Sequence, residues 1–534
     1  MGNEQHQLIY IAIVVAYVLI MLAIGYWSMR RTKSVGDFFL GGRNLGSWMS
    51  ALAFGTTYFS AVIFIGYAGK LGWQFGIHTM GIVVGNTIIG TILSWWILAG
   101  RTRDMTVKLN AQTMPEFLGR RFNSRPLQII AALVVFVFLV PYSASVLMGL
   151  SYLFSMTMPL TFFGLDPYQS ALLFLTALTG VYLVMGGYFA VAISDFVRGI
   201  VEFIGVMLMV FLLAKHFGGF KVATSQLLSN NEVMAPAMNK LIPIGFTFNN
   251  TVYTLFSSYG MWILLALIII TSIGPWALPQ MVQKFYSIRS KADIKRTIII
   301  AGIFSFFMAF GAYYSGALTH LKWGNVLPPA LTENGAPLFD KIMPYFITHG
   351  GVGLPEWLII TIVLMVFSAS MSSLSSLVLV SSSAISIDIL GIFIDKDKEP
   401  KKMMGLLRLF CFIFVGASLY IALQKPTIIV NLMVMSWATL AGVFLAPFVY
   451  GLFWKGITKA GAYSGVVTGL LCAIILFPLF GKNGVPFAGV ITMLTPMFVV
   501  PVVSLMTKKL PKEMVDNAFD LGNTLKDERD GLIL

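Results

Sequence analysis

Residues 367–386 read FSASMSSLSSLVLVSSSAIS, ten serines in an uncharged apolar run that Asp388 closes. On a helix, Ala369, Ser372, Ser373 and Ser376 stand at i, i+3, i+4 and i+7 and share one stripe. Small hydroxyl residues on a membrane helix commonly serve close packing and hydrogen bonds to neighbouring helices. Two adjacent hydroxyls beside a backbone carbonyl also present hard, neutral oxygens. Such ligands suit a hard cation with no use for nitrogen or sulfur. The stripe is therefore a candidate sodium site.

The elements that must position this stripe are membrane spans. Of 534 residues, 57% are hydrophobic and 11% charged, with a mean hydropathy of +0.84. Soluble domains carry about 25% charged residues, so the composition reads as an all-α polytopic membrane protein. The formal net charge of +14 does not point to nucleic acid, because most Lys and Arg fall in short loops between apolar runs. Cys411 and Cys472 both lie in apolar runs and imply no disulfide framework. The first run, 8–29, has no basic stretch before it and no small-residue cleavage site after it, so it reads as a span rather than a signal peptide.

A hydropathy window of about 19 residues gives about 13 transmembrane helices. Their cores are 8–29, 46–69, 78–100, 127–157, 168–187, 195–217, 251–279, 297–321, 357–388, 405–424, 427–454, 460–480 and 486–507. The basic loops are 30–43, 101–125, 284–296, 396–408, 455–459 and 508 onward, which is every second loop. The positive-inside rule then places the N-terminus outside and the C-terminus in the cytoplasm of a multi-pass plasma (inner) membrane protein. The stretch 322–356 is long for a connector and predicts a short helix or lid.

Two spans look interrupted. The second holds Gly55, Thr56 and Thr57 at its middle, and the seventh holds Gly274, Pro275 and Pro279 in its second half. Gly and Pro loosen the backbone ladder. Freed carbonyls are tolerated at membrane depth only beside protein, water or a ligand. Five spans separate the two breaks, a spacing that predicts a 5+5 inverted repeat with its site at the midplane. The repeats would be 46–217 and 251–454, after a first span and loop at 1–45 and before two final spans and a tail at 455–534.

Four stretches resemble the sodium/solute symporter family, the group of the proline and pantothenate permeases and the sodium–glucose cotransporters. They are Gly41-Gly42-Arg43 before the second span; residues 182–195 with Gly186, Gly187, Ala190, Val191, Ser194 and Asp195; the serine-rich ninth span; and Leu445-Ala446-Pro447 through Gly451 to Trp454. The resemblance implies the leucine-transporter type of fold and sodium-driven uptake, with Na+ as the coupling ion. It also implies a sodium site formed by the carbonyls of Thr56, Phe59 and Ala369 and the hydroxyls of Ser372 and Ser373. In some members a second sodium sits at positions matching Asp195, Ser372, Ser375 and Ser376. Tyr58 stands where the proline permease has an acidic residue, which argues for a different solute.

The solute is expected to be small and organic, a carboxylate or amino acid ahead of a sugar or other neutral molecule. The small polar cluster facing the two breaks places it among Thr57, Ser60, Gln74, Gly274 and Trp276. The spans at the midplane show no Arg, so a carboxylate would rely on half-helix N-termini and amides. Asp195, at the start of a span, reads equally as an interfacial residue. Glu202 is an intramembrane carboxylate and so a functional candidate. His78 reads as a packed polar residue. A cation channel lined by the serines is the competing class. A membrane-embedded enzyme has no support in motifs such as HExxH or GxSxG. The expected partners are the solute, sodium and the lipid bilayer, with no nucleic acid and no obligate protein partner.

Overall fold

The computed structural model describes residues 2–29, 43–185, 188–229, 239–248, 251–394 and 400–520. Gly41, Gly42, Gly186, Gly187, part of the basic loops at 30–43 and 396–408, and the end of the tail lie outside the described residues. The fold is mostly helical. Among the described residues, nine helical segments are long and apolar enough to cross a membrane.

The principal helices are α1 (Gly2–Met29), α2 (Ser47–Tyr58), α3 (Ala68–Phe75), α4 (Arg125–Thr157), α5 (Pro167–Met185), α6 (Tyr188–His216), α7 (Gly260–Ile273), α8 (Pro279–Ser287), α9 (Lys291–Trp323), α10 (Glu356–Ser386), α11 (Pro400–Gln424), α12 (Ile429–Phe453) and α13 (Lys459–Met506). The helices α10 and α12 are the most enclosed of the membrane-length segments. The first of them, α10, carries the serine stripe. It packs against α2, α4, α6, α8 and α11, and from Val366 to Ile387 every residue is buried.

Two of the long segments reverse direction. The helix α13 has 48 residues and turns at Gly481 (φ 61, ψ −172). At 1.5 Å per residue a straight run would reach about 70 Å, more than twice the hydrocarbon core. Its two ends meet instead: Thr458 Oγ1 lies 2.7 Å from Thr507 Oγ1, and the Thr458 amide donates to Ser504 Oγ. The segment Val62–Lys108 likewise turns at Gly76 (φ 47, ψ −125). It returns so that Gly90 lies against the Tyr58 hydroxyl. The backbones of Gly72 on α3 and Gly316 on α9 touch with no room for a Cβ on either, the small-residue contact that membrane helices use.

Among the described residues, the largest departure from an all-helical reading is at 241–259. The seventh apolar run is not helical from 251. Residues Leu241–Phe248 (β1) and Thr251–Tyr259 (β2) pair antiparallel, with a register shift between Ile244 and Gly245. The run TVYTLFSSY is rich in β-branched and aromatic residues, which favour a strand, so the helix starts only at Gly260. The hairpin packs on α13, where the Gly245 carbonyl lies against Gly481. Between α9 and α10, as the length of that connector predicts, the chain forms a two-residue ladder and a short helix, Ile342–Thr348.

Candidate ion and solute site

The first break falls just after the threonines. The helix α2 ends at Tyr58, and Phe59 is extended (φ −101, ψ 115), which ends the helical ladder there. Ser60 and Ala61 follow, and Val62–Tyr67 resumes as a π-helix. The second break separates α7 from α8 across Gly274–Trp276, a single 3-10 turn.

The helix α10 binds the first break through its hydroxyls. Ser373 Oγ donates to the carbonyls of Thr56 (3.3 Å) and Thr57 (3.1 Å). Ser372 Oγ is 2.7 Å from both Thr56 Oγ1 and Asp195 Oδ1. One turn before this pair, Ser370 Oγ accepts from the Ala61 amide at 3.3 Å. Phe59 and Ala369, the remaining residues of the expected sodium shell, are buried on the same two elements. Thr56, Ser372 and Ser373 thus meet in a dry cluster of neutral oxygens with a single carboxylate beside it. That donor set fits a sodium ion travelling as cargo, and among the described residues no group of three or more His, Cys, Asp or Glu offers a transition-metal site.

The residues matched to a second sodium also converge, but with cations among them. Asp195 is fully buried on α6 rather than interfacial. Arg198 Nη1 lies 3.5 Å from Asp195 Oδ1 and 3.5 Å from Ser375 Oγ. Lys284 Nζ donates to Ser376 Oγ at 3.1 Å and stands 3.9 Å from Asp195 Oδ2. Ser376 Oγ is also 3.1 Å from Thr57 Oγ1. Arg198 is buried near the start of the sixth span, and Lys284, expected in a basic loop, is buried in the bundle instead. The chain resumes a regular helix at Pro279 and keeps it to Ser287, so Lys284 is still inside the bundle. A signal existed: Gln280, Gln283, Lys284 and Ser287 recur at i, i+3, i+4 and i+7, a polar stripe that a solvated loop does not need. Glu202, one turn beyond Arg198 on α6, is buried, and neither carboxylate oxygen has a hydrogen-bond partner among the described residues.

The expected solute residues separate into four places. Ser60 and Gly274 share an aromatic neighbourhood that the sequence did not reveal. Trp437 on α12 lies 3.3 Å from where a Gly274 Cβ would stand, and its ring is 6.0 Å from Tyr58 and 5.6 Å from Tyr142. The Tyr142 hydroxyl faces Ser60, Ser373 and Trp437. Thr57 points the other way: its hydroxyl donates to Ala53 O at 2.7 Å and meets Ser376. Trp276 donates Nε1–H to Ile89 O at 2.9 Å. Gln74 is remote from the breaks and lines a vestibule of about 540 Å³ with Lys70, Lys240, Lys482, Asn325 and Trp73 among others. His78 is exposed rather than packed.

Phe339, which also lines the vestibule, and Asp340 lie in the 3-10 turn Phe339–Lys341 that precedes the short helix Ile342–Thr348. Asp340 accepts the Ile429 amide at the start of α12 through both oxygens, at 3.3 and 3.2 Å. Burial pushes its carboxyl up to about 7, against the opposing pull of that amide and of Lys70.

The wider comparisons agree with this arrangement. The family model described as "Sodium:solute symporter family" matches residues 38–469. Among similar proteins, the osmoregulated proline transporter OpuE of Bacillus subtilis (strain 168) is 25% identical over 470 residues, 86% of this chain and 87% of that one. The sodium/proline symporter of Staphylococcus aureus (strain bovine RF122 / ET3-1) is 29% identical over 476 residues, 87% of this chain and 85% of that one. Among solved structures, the substrate-bound outward-open state of a Na+-coupled sialic acid symporter superposes with a TM-score of 0.71 at 20% identity, over 94% of this chain and 99% of that one. Mhp1, a nucleobase-cation-symport-1 family transporter in a closed conformation, gives 0.51 at 14% identity, over 90% and 97%; both likenesses concern the fold. With a broken helix clasped by serine hydroxyls and a family match over most of its length, the chain belongs to the sodium:solute symporter family and couples uptake of a small organic solute to sodium.

Proposed function

We propose that this chain carries a small carboxylate or amino acid by alternating access, driven by one sodium ion held by the carbonyls of Thr56, Phe59 and Ala369 and the hydroxyls of Ser372 and Ser373. The observation that carries this reading is the contact of Ser372 and Ser373 with Thr56 and Thr57 across the break in α2. An ion at that seam ties α10 to α2. It favours the outward-open state only because it binds that state more tightly than the inward one. Linkage then requires sodium and solute to raise each other's affinity by the same factor.

The solute binds at the two breaks, between Ser60 and Gly274, walled by Tyr58, Tyr142 and Trp437. Three lysines in the vestibule, Lys70, Lys240 and Lys482, draw an anionic group toward the mouth. Thr57, Gln74 and Trp276 act around this site: Thr57 in the ion cluster, Gln74 on the approach and Trp276 in holding the second break against the returning half of Val62–Lys108. Ten of the thirteen spans form two inverted repeats, 46–217 and 251–454, with 1–45 and 455–534 outside them, an external N-terminus and a cytoplasmic C-terminus. The protein works without an obligate protein partner and catalyses no bond change.

Reconstituted liposomes test this reading. A panel of labelled small carboxylates and amino acids is offered with an inward sodium gradient, and then with potassium in its place. Accumulation above equilibrium that needs sodium and fails in Trp437→Ala supports it. Downhill flux alone, with no accumulation of any compound and a large sodium conductance, favours the channel.

A further inference from the structure

The pocket built from Asp195, Ser375 and Ser376 has the oxygens of a second cation site, and every one of those residues already meets a protein nitrogen. Lys284 Nζ is 3.1 Å from Ser376 Oγ and 3.9 Å from Asp195 Oδ2. Arg198 Nη1 is 3.5 Å from Asp195 Oδ1 and from Ser375 Oγ. The Lys284 and Asp195 side chains are 1% and 0% exposed. The lysine reaches the pocket from α8, directly after the second break, while Asp195 comes from α6 and the serines from α10.

We infer that the Lys284 ammonium is a tethered cation that fills the second ion position, so that the protein binds one sodium where this pocket would otherwise admit two. An ammonium carries the same unit charge as sodium and seeks the same oxygens with three donors. A sodium ion placed about 4 Å from a second unit charge at an effective dielectric of about 20 is repelled enough to weaken its binding roughly a thousandfold. Asp195 carries one negative charge for the two cations beside it, with the buried Glu202 carboxyl one turn beyond Arg198. Arg198 and Lys284 together keep Asp195 from being a buried charge with no counterion, a costly state in a membrane interior. Because Lys284 belongs to the chain, its charge is not released with the cargo. This inference rests on the first sodium being held between α2 and α10.

The test counts bound ions. Purified protein in detergent is equilibrated with saturating 22Na+, choline balancing ionic strength, and bound sodium per chain is measured. The expected count is one for the wild type, two for Lys284→Met, one for Lys284→Arg, and one again for Lys284→Met with Asp195→Asn. Lys284→Gln, whose amide keeps the bond to Ser376, is the second uncharged variant and is also expected to bind two. A lysine that only stabilises the fold would change melting behaviour and leave the count at one. Two ions in the wild type, or one ion in a monodisperse Lys284→Met or Lys284→Gln, overturns the inference. Ser373→Ala separates this outcome from the reading beneath it: an unchanged sodium concentration for half-saturation of 22Na+ binding there removes the first site, whereas the gain in count on replacing Lys284 is read independently.

Discussion

Ser373→Ala is the sharpest probe of the first ion site. The hydroxyl sits 3.3 Å from Thr56 O and 3.1 Å from Thr57 O, so turning its oxygen toward an ion needs a rotation about χ1 and little else. A hydroxyl bonded to a charged group contributes about 1.5–3 kcal/mol. Against this, the same hydroxyl stabilises the ion-free protein through its bonds to the two carbonyls, by about 1 kcal/mol. Its removal therefore weakens both states, and the net loss on sodium binding is about 0.5–2 kcal/mol, a factor of roughly 2–30. Sodium titration of the intrinsic tryptophan fluorescence of purified protein, at ionic strength held with choline, measures this as a shift in midpoint. Ser382→Ala is the control, because Ser382 Oγ donates to Leu379 O in its own helix. A Ser373→Ala midpoint no higher than that of the wild type, where a net loss of at least about 0.5 kcal/mol is expected, refutes the assignment of Ser373 as a ligand.

Three further outcomes are expected. Gly72→Ala drives a methyl into the Gly316 backbone; overpacking of this kind costs about 1–3 kcal/mol, and an unchanged melting temperature would show that α3 and α9 do not meet there. Asp340, raised by burial from 3.8 to about 7, favours its protonated form in the folded protein, so its contribution to stability is complete below about pH 4 and is lost as pH rises through 7. Thermal melts should show higher stability at pH 5.5 than at pH 8.5, with the difference reduced in Asp340→Asn; an identical slope in that variant would show that the carboxyl plays no part. Reporter fusions after Lys509 should read as cytoplasmic, and an external reading would reverse the charge-based orientation.

Much of the ion site is legible in the sequence because helical geometry turns spacing into adjacency. Ser372, Ser373 and Ser376 need only a helix to share a face, and Gly274 with Pro275 needs only the loss of an amide to mark a break. What stays hidden depends on which helices are neighbours. Trp437 and Tyr142 look like ordinary aromatic residues of two apolar spans until folding puts them around Ser60 and Gly274. Lys284 obeys the charge rule for a loop, and only the helix resumed at Pro279 carries it inward to Asp195. The hairpin at Leu241–Tyr259 was obscured for a different reason. Its apolar, β-branched residues satisfy a hydropathy window as well as a helix does, and the window is blind to period.

The hydroxyls of α10 have a bearing on how this bundle can move. Ser370, Ser375, Ser382 and Ser383 each donate back to a carbonyl three or four residues earlier, at 2.6 to 3.1 Å. Ser370 and Ser375 do so while accepting a bond from a neighbouring element. When a neighbour pulls away, such a serine loses an accepted bond but keeps its donor satisfied within its own helix. Separation therefore strands none of these four hydroxyl protons in the interior, where an unpaired polar group would cost on the order of 1–3 kcal/mol. Ser372 and Ser373, which donate to other elements instead, are the hydroxyls of this helix that resist its parting from its neighbours.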